Sequence, residues 1–334
     1  MRRGAFTFAP LGPVLTPYEA ALFREGDPWG FIIFQRNCEN PEQLRRLTGD
    51  LRMAVGWHAP VLIDQEGGRV QRMRAPHWSE WMPPLDQVEA FEDRGKAARA
   101  MYLRGVLIGV ELVAHGVDVN CAPSCDIAYA DTHPFLRNRC YGTDAETVTS
   151  MARACGEGHM DAGCLTVLKH APGHGRAVVD SHKNLPRIDV DLAELEETDF
   201  APFRALADFG MAMTAHIVVP QIDPNVPVTQ SPAGVAYLRD RLGLTGLLMS
   251  DDISMNALAG DVVTRGEAAL AAGCDLVLHC NGDAREMGSI AQSLGKMSLE
   301  AAKRADVALA ARRTTRDIDI VALEAEFDAL IQGA

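Results

Sequence analysis

The chain has 334 residues, 47% of them hydrophobic and 23% charged, with a formal net charge of −13 at pH 7. Those proportions describe a globular protein with a sizeable core, and the length suits one large domain. The negative balance argues against nucleic acid or a membrane surface as a partner.

The opening stretch, MRRGAFTFAPLGPVL, has two arginines but no sustained apolar run before Pro10 and Pro13, so no signal peptide is expected. No window approaches the roughly 20 apolar residues of a spanning helix. Short apolar runs predict strands near Ala5–Phe8, Gly30–Phe34, Val61–Ile63, Val117–Ala122, Leu165–Leu168, Ala212–Ala215, Gly246–Met249 and Asp275–Leu278. Between them, amphipathic stretches predict helices over Pro41–Val55, Gly95–His115, Ala145–Asp161, Leu192–Phe209 and Arg265–Ala272. This alternation suits an α/β fold, a single (β/α)8 barrel of the TIM type covering residues 1–334 as one domain. A doubly wound open sheet is the alternative, but no G-x-G-x-x-G follows a first strand. The Ala- and charge-rich stretch Ser298–Ala334 reads as packing helices. The cysteines are scattered, and free thiols in a reducing cytoplasm are expected of them.

Polar residues fall where the apolar runs end. VLIDQEGGRV places Asp64 after a strand, TVLKHAPGHG places Lys169 and His170, AMTAHIVVP places His216, and GLLMSDDISM places Asp251 and Asp252. In a parallel barrel all carboxyl ends of the strands share one face, so these distant residues would meet there. Asp251 follows its apolar run directly and can serve as nucleophile, base or metal ligand. Ser250 or Asp251 could instead cap a helix starting near Ile253, and for Asp252 too capping is a competing role.

The segment KHAPGHGRAVVDSH, residues 169–182, holds Lys169, His170, His174, Asp180 and His182 around Pro172, Gly173 and Gly175. So many ionisable groups do not belong in a core, and Pro-Gly interrupts a helix. Asp180 and His182 lie two apart, so in extended backbone they point the same way; a carboxylate beside an imidazole makes a general acid/base near neutral pH. His170 and His174 have the spacing of a helical metal pair, but Pro172-Gly173 removes the helix that would aim both rings at one ion. No metal and no cofactor are therefore expected, and PGHG reads as a tight turn in which His174 bonds the backbone. The glycines of EGGRVQR allow positive φ and close approach to a ligand. Arg72 and Arg139 could bind hydroxyls or a carboxylate.

Taken together, DQEGGRVQR, APSCDI with NRCYG, KHAPGHGRAVVDSH, MTAHIVVP and LLMSDDISMNAL resemble the family 3 glycoside hydrolases, in order from about Gly30 to Asn281. The likeness is nearest to the bacterial cytoplasmic β-N-acetylglucosaminidases that act in cell-wall recycling. It implies a monomeric barrel enzyme in the cytoplasm that removes a non-reducing N-acetylglucosamine from β-1,4-linked muropeptide-type substrates. By the same resemblance Asp251 matches the nucleophile and His182 the acid/base, with Asp180 as its partner. Asp64, Arg72, Arg139, Lys169 and His170 match the residues that hold the sugar. Two positions depart from the family pattern: Ala171 stands where Phe is expected, and Arg176 where an acidic residue is common. A retaining glycosidase needs one group to attack the anomeric carbon and another to protonate the departing oxygen. Substrate-assisted hexosaminidases typically use an adjacent Asp-Glu pair; the sequence has no such dipeptide, which favours a covalent intermediate on Asp251. A phosphorylase, a metal-dependent hydrolase and a catalytically idle sugar sensor are the rival readings.

Overall fold

The computed structural model describes residues 2–177, 185–313 and 318–334. Its centre is a parallel sheet of nine strands: β1 (Gly4–Phe8), β2 (Pro28–Ile33), β3 (Val61–Ile63), β4 (Val119–Asn120), β5 (Leu165–Thr166), β6 (Leu168–Ala171), β7 (Met211–Thr214), β8 (Leu247–Asp252) and β9 (Leu276–His279). Their order is β5-β4-β3-β2-β1-β9-β8-β7-β6, all in parallel register. Only Val167 separates β5 from β6, so the two ends of the sheet are one run of chain. A parallel bridge between Ser124 and Lys169 carries the β4–β5 pairing onward along it. The sheet thus curls into the expected α/β barrel.

The strands are buried almost throughout, as their unbroken Val/Ile/Leu/Phe runs require for a sheet covered on both faces. Phe6 stacks on Phe8 with ring centroids 4.6 Å apart, and Phe23 of a surrounding helix packs on Phe31 of β2 at 5.1 Å. Helices Pro41–Val55 and Ala145–Asp161 have the bounds expected from sequence. In the first, Asn40 caps the amino end, Pro41 opens the first turn, and Gly56 at φ 70° closes the other end.

Several elements differ from expectation. The stretch Leu192–Phe209 is three short pieces, Leu192–Glu197, Ala201–Ala205 and the 3₁₀ turn Ala207–Phe209, broken at Thr198–Phe200. Strand β8 runs on through Asp251 and Asp252 instead of stopping at Met249. No helix starts near Ile253; the next begins at Val262 and is capped by Asp261, whose Oδ1 accepts from Thr264 N–H at 2.8 Å. The carboxyl-terminal stretch forms helices Leu299–Ala310 and Ile320–Gln332. All eight cysteines are free. Among the described residues no helix is long and apolar enough to cross a membrane.

Candidate active site

The carboxyl ends of the strands open on a cleft of about 270 Å³ lined by Asp64, Arg72, Arg139, Lys169, His170, His174, Asp251 and Asp252, with Phe34, Phe135 and Met255 among its apolar walls. Six of the residues expected at the site therefore meet there, carried by four different stretches of chain. Asp180 and His182 lie outside the described residues; Ala177, the last described residue before them, also lines the cleft.

Asp64 follows β3 and is held from two sides. Its Oδ1 accepts from Lys169 Nζ at 2.8 Å and its Oδ2 from Arg72 Nη2 at 2.8 Å. Behind it stands Glu66, which sequence reasoning missed. Glu66 is buried, takes a bidentate pair from Arg139 at 2.8 and 2.9 Å, and lies 2.5 Å from Lys169 Nζ. Burial opposes ionisation of both carboxyls, but the neighbouring cations outweigh it. Lys169 and Arg72 hold Asp64 far below the usual carboxylate range, and Arg139 and Lys169 hold Glu66 at about 2. Burial likewise works against the Lys169 ammonium, and Asp64 and Glu66 reverse its effect, raising it above its ordinary value. Arg139, expected to meet substrate on its own, is thus half of a buried ion pair that also faces the cleft.

The loop after Asp64 is fixed by amides. Gln65 N–H donates to Asn120 Oδ1 and Gln65 C=O accepts from Asn120 Nδ2, both at 3.0 Å. Gln65 Oε1 in turn accepts from the N–H groups of Arg72 and Met73 at 2.9 and 3.1 Å. The turn requires its glycines: Gly67 and Gly68 sit at φ 104° and 59°, and a Cβ on Gly68 would lie 2.8 Å from Pro83. The Asp64, Glu66 and Arg72 side chains are aimed by this frame.

Asp126, also missed, organises the histidines. Its Oδ2 accepts from His170 Nδ1 at 2.8 Å, and its Oδ1 from the His174 main-chain N–H at 2.6 Å. His174 was expected to bond the backbone through its ring. Instead its main-chain N–H does the anchoring, and ring Nε2 has no hydrogen-bond partner among the described residues. Its ring meets His170 edge-on at 5.7 Å, and burial pushes it down to about 4, leaving it neutral at pH 7. Among the described residues no group of three or more His, Cys, Asp or Glu is placed to hold a metal ion.

On the far side, Asp251 lies next to last in β8 and its Oδ1 accepts from Asp252 N–H at 2.8 Å. Asp252 is occupied locally, accepting from Ser254 N–H, Ser254 Oγ–H and Cys280 N–H at 3.0, 2.6 and 3.1 Å. It pins a turn, not the helix cap considered from sequence. His216 is not among the cleft-lining residues; its Nε2–H donates to the Asp252 carbonyl at 3.0 Å and supports β8 from behind. Asp251 is left as the cleft carboxylate without a neighbouring cation in salt-bridge contact comparable to those on Asp64 or Glu66.

A parallel barrel with a small polar cleft at the carboxyl ends of its strands, carboxylates on both sides and a frame of fixed donors, has the make-up of a glycoside hydrolase. The chain belongs to glycosyl hydrolase family 3, whose N-terminal domain model matches residues 23–316. It is 37% identical over 292 residues to the β-hexosaminidase of Chromobacterium violaceum, covering 81% of this chain and 79% of that one. Against the β-hexosaminidase of Alkalilimnicola ehrlichii the identity is 39% over 277 residues, covering 81% and 78%. Among solved structures, native NagZ from Neisseria gonorrhoeae superposes with a TM-score of 0.85 at 29% identity, over 99% of this chain and 97% of that one. The same enzyme has been solved in complex with N-trifluoroacetyl-D-glucosamine, again at 0.85 and 29%, covering 100% and 97%.

Proposed function

We propose that this chain is a retaining exo-β-N-acetylglucosaminidase that removes non-reducing N-acetylglucosamine from β-1,4-linked muropeptide-type substrates in the cytoplasm. The observation that carries the reading is the pairing across one cleft of the Asp251 carboxylate with the rigid Asp64–Lys169–Arg72 array. Two relatives named β-hexosaminidases, and a structural neighbour solved with an N-acylated glucosamine, point to the amino sugar. A cleft of about 270 Å³ favours one terminal sugar over a run of them.

In this mechanism Asp251 attacks the anomeric carbon as the C1–O bond breaks, and the His182 imidazolium gives its proton to the departing oxygen. The glycosyl–Asp251 ester is then hydrolysed by a water whose proton passes to the neutral His182, so each turnover restores both groups. Asp180 orients the ring and favours its charged form. Asp64 can accept from sugar hydroxyls, because Lys169 and Arg72 occupy only one lone pair on each of its oxygens. His170, its ring held by Asp126, and Arg139, held by Glu66, supply donors to the same ring. No step uses a metal.

The test is release of chromophore from an aryl β-N-acetylglucosaminide, compared with the aryl β-glucoside, with and without phosphate and a chelator. Preference for the amino sugar, no phosphate dependence and no loss on chelation are expected. Equal kcat/KM on the two glycosides would overturn the substrate assignment.

A further inference from the structure

Arg176 stands a few positions before Asp180 and His182, outside the set of residues that line the cleft. Its side chain crosses to the break between helices Leu192–Glu197 and Ala201–Ala205. Nε donates to Asp199 Oδ2 and Nη2 to Glu194 Oε1, each at 2.7 Å. The guanidinium also lies 4.4 Å over the Tyr129 ring, and the Tyr129 hydroxyl donates to the same Asp199 oxygen at 3.0 Å. Asp199 is buried, so this is an ion pair shielded on one side from water.

The main chain around Arg176 is held just as closely. The His174 N–H bonds Asp126, Thr132 Oγ donates to the Gly175 carbonyl at 2.5 Å, and the His133 N–H donates to the Ala177 carbonyl at 3.1 Å. A Cβ on Gly173 would lie 2.8 Å from the Asp199 carbonyl, and one on Gly175 only 1.9 Å from the Ile127 carbonyl. The chain that leads to the acid/base is therefore fastened on two sides, by residues 126–133 and by Asp199. Arg176 is the side chain that ties it to the second.

We propose that Arg176 is a positioning residue for acid/base catalysis: its pair with Asp199 sets where the chain departs toward Asp180 and His182, and so the aim of His182 at the leaving oxygen. The proposal rests on His182 being the acid/base. It also accounts for the helix break, which turns the Asp199 carboxylate toward Arg176 where a continuous helix Leu192–Phe209 would not.

The experiment compares wild type, Arg176→Ala and His182→Ala on two substrates. One is 2,4-dinitrophenyl β-N-acetylglucosaminide, whose leaving group needs no proton; the other is N,N′-diacetylchitobiose, whose sugar leaving group does. Misplacing a catalytic group by an ångström can cost about 100-fold, so Arg176→Ala should lose about 10–100-fold in kcat on the disaccharide. Glycosyl-enzyme formation from the aryl substrate, read as the burst rate, should stay within about 2-fold. Arg176→Lys should recover part of the loss, since it keeps the charge but not the fork. If removal of Arg176 strands the buried Asp199 and weakens the fold, the paired neutral variant Arg176→Gln with Asp199→Asn relieves that and should show the same selectivity. Equal losses on both substrates in Arg176→Ala and in the paired variant would reduce Arg176 to a purely structural role and overturn the proposal. His182→Ala separates the two readings: without leaving-group selectivity in that variant, the acid/base assignment falls, and the role of Arg176 with it.

Discussion

Glu66 and Arg139, separated by 73 positions in the chain, form a bidentate pair behind the cleft, and Lys169 presses on the same carboxylate at 2.5 Å. The pair connects the loop after β3 to the segment following β4, so two residues that face the sugar, Asp64 and Arg139, are positioned by one buried group. Such a network is costly to break, because removing one partner strands the others away from water.

Glu66→Gln keeps the volume but leaves Arg139 and Lys169 sharing less negative charge. Unfolding free energy should fall by about 3–5 kcal/mol in a urea titration. Arg46→Ala, which removes an exposed pair with Glu42 at 3.3 Å, should cost well under 1 kcal/mol. A Glu66→Gln variant as stable as wild type would mean that Lys169 and Arg139 are satisfied without it.

His159 predicts a pH dependence. Asn120 Nδ2 donates to its Nε2 at 2.9 Å, so the ring must accept there and donate from Nδ1 to the Cys155 carbonyl at 2.8 Å. A second ring proton would face the Asn120 amide hydrogens. Burial accordingly pushes His159 down to about 4, as it does His174. Both values are below the ordinary 6.5, so the unfolded chain binds more protons between pH 4 and 6.5, and stability is lost as pH falls through that window. The slope is about 1.4 kcal/mol per pH unit for each histidine. Urea titrations of His159→Gln at pH 4.5–6 should show a slope shallower by about one proton; an unchanged slope would contradict the buried neutral ring. Below this window Glu66, ionised in the fold down to about 2, adds a separate acid-side loss as pH falls through that value.

What the sequence made legible was local. Asn40 with Pro41, Asp144 and Gly56 bound two helices by chemistry written within a few residues. Residues at the ends of apolar runs gave the cleft its Asp64, Lys169, His170 and Asp251. Glu66 and Asp126 escaped because they face other side chains, and nothing nearby in sequence names Arg139 or His170 as their partners. A carboxylate two positions after Asp64, between a strand and a Gly-Gly turn, was the available signal for Glu66. The break at Thr198–Phe200 has no glycine or proline to announce it; its reason is tertiary, in the bond from Asp199 to Arg176.

Asp251→Ala should remain folded and lose nearly all turnover, since on the proposed mechanism the covalent step has no other acceptor. A 2-deoxy-2-fluoro or 5-fluoro glycosyl fluoride should label Asp251, read by peptide mass spectrometry. Labelling of Asp252 would be hard to reconcile with its three hydrogen bonds to Ser254 and Cys280, and finding it would overturn the assignment.

The final prediction concerns Asp64, whose two oxygens are each fixed by one cation. On the proposed reading the remaining lone pairs accept from sugar hydroxyls, and the clamp prevents the carboxylate from turning away when the cleft is empty. Hydrogen bonds to a charged group are worth about 1.5–3 kcal/mol each, so Asp64→Ala should lower kcat/KM by about 10–100-fold for every sugar bond removed. Asp64→Asn should be no milder: its amide nitrogen must point at Lys169 or Arg72, setting donor against donor. If both bonds serve ground state and transition state alike, the loss will appear in KM with kcat kept; if they tighten as the ring distorts, kcat will fall as well. The Asp64 carboxyl stays ionised far below the usual range. Its contribution should therefore hold constant from pH 4 upward, and the ratio of wild-type to Asp64→Ala kcat/KM should be flat from pH 5 to 8. A ratio that changes tenfold across that range would show that another titrating group, and not the Asp64 carboxylate, governs sugar binding.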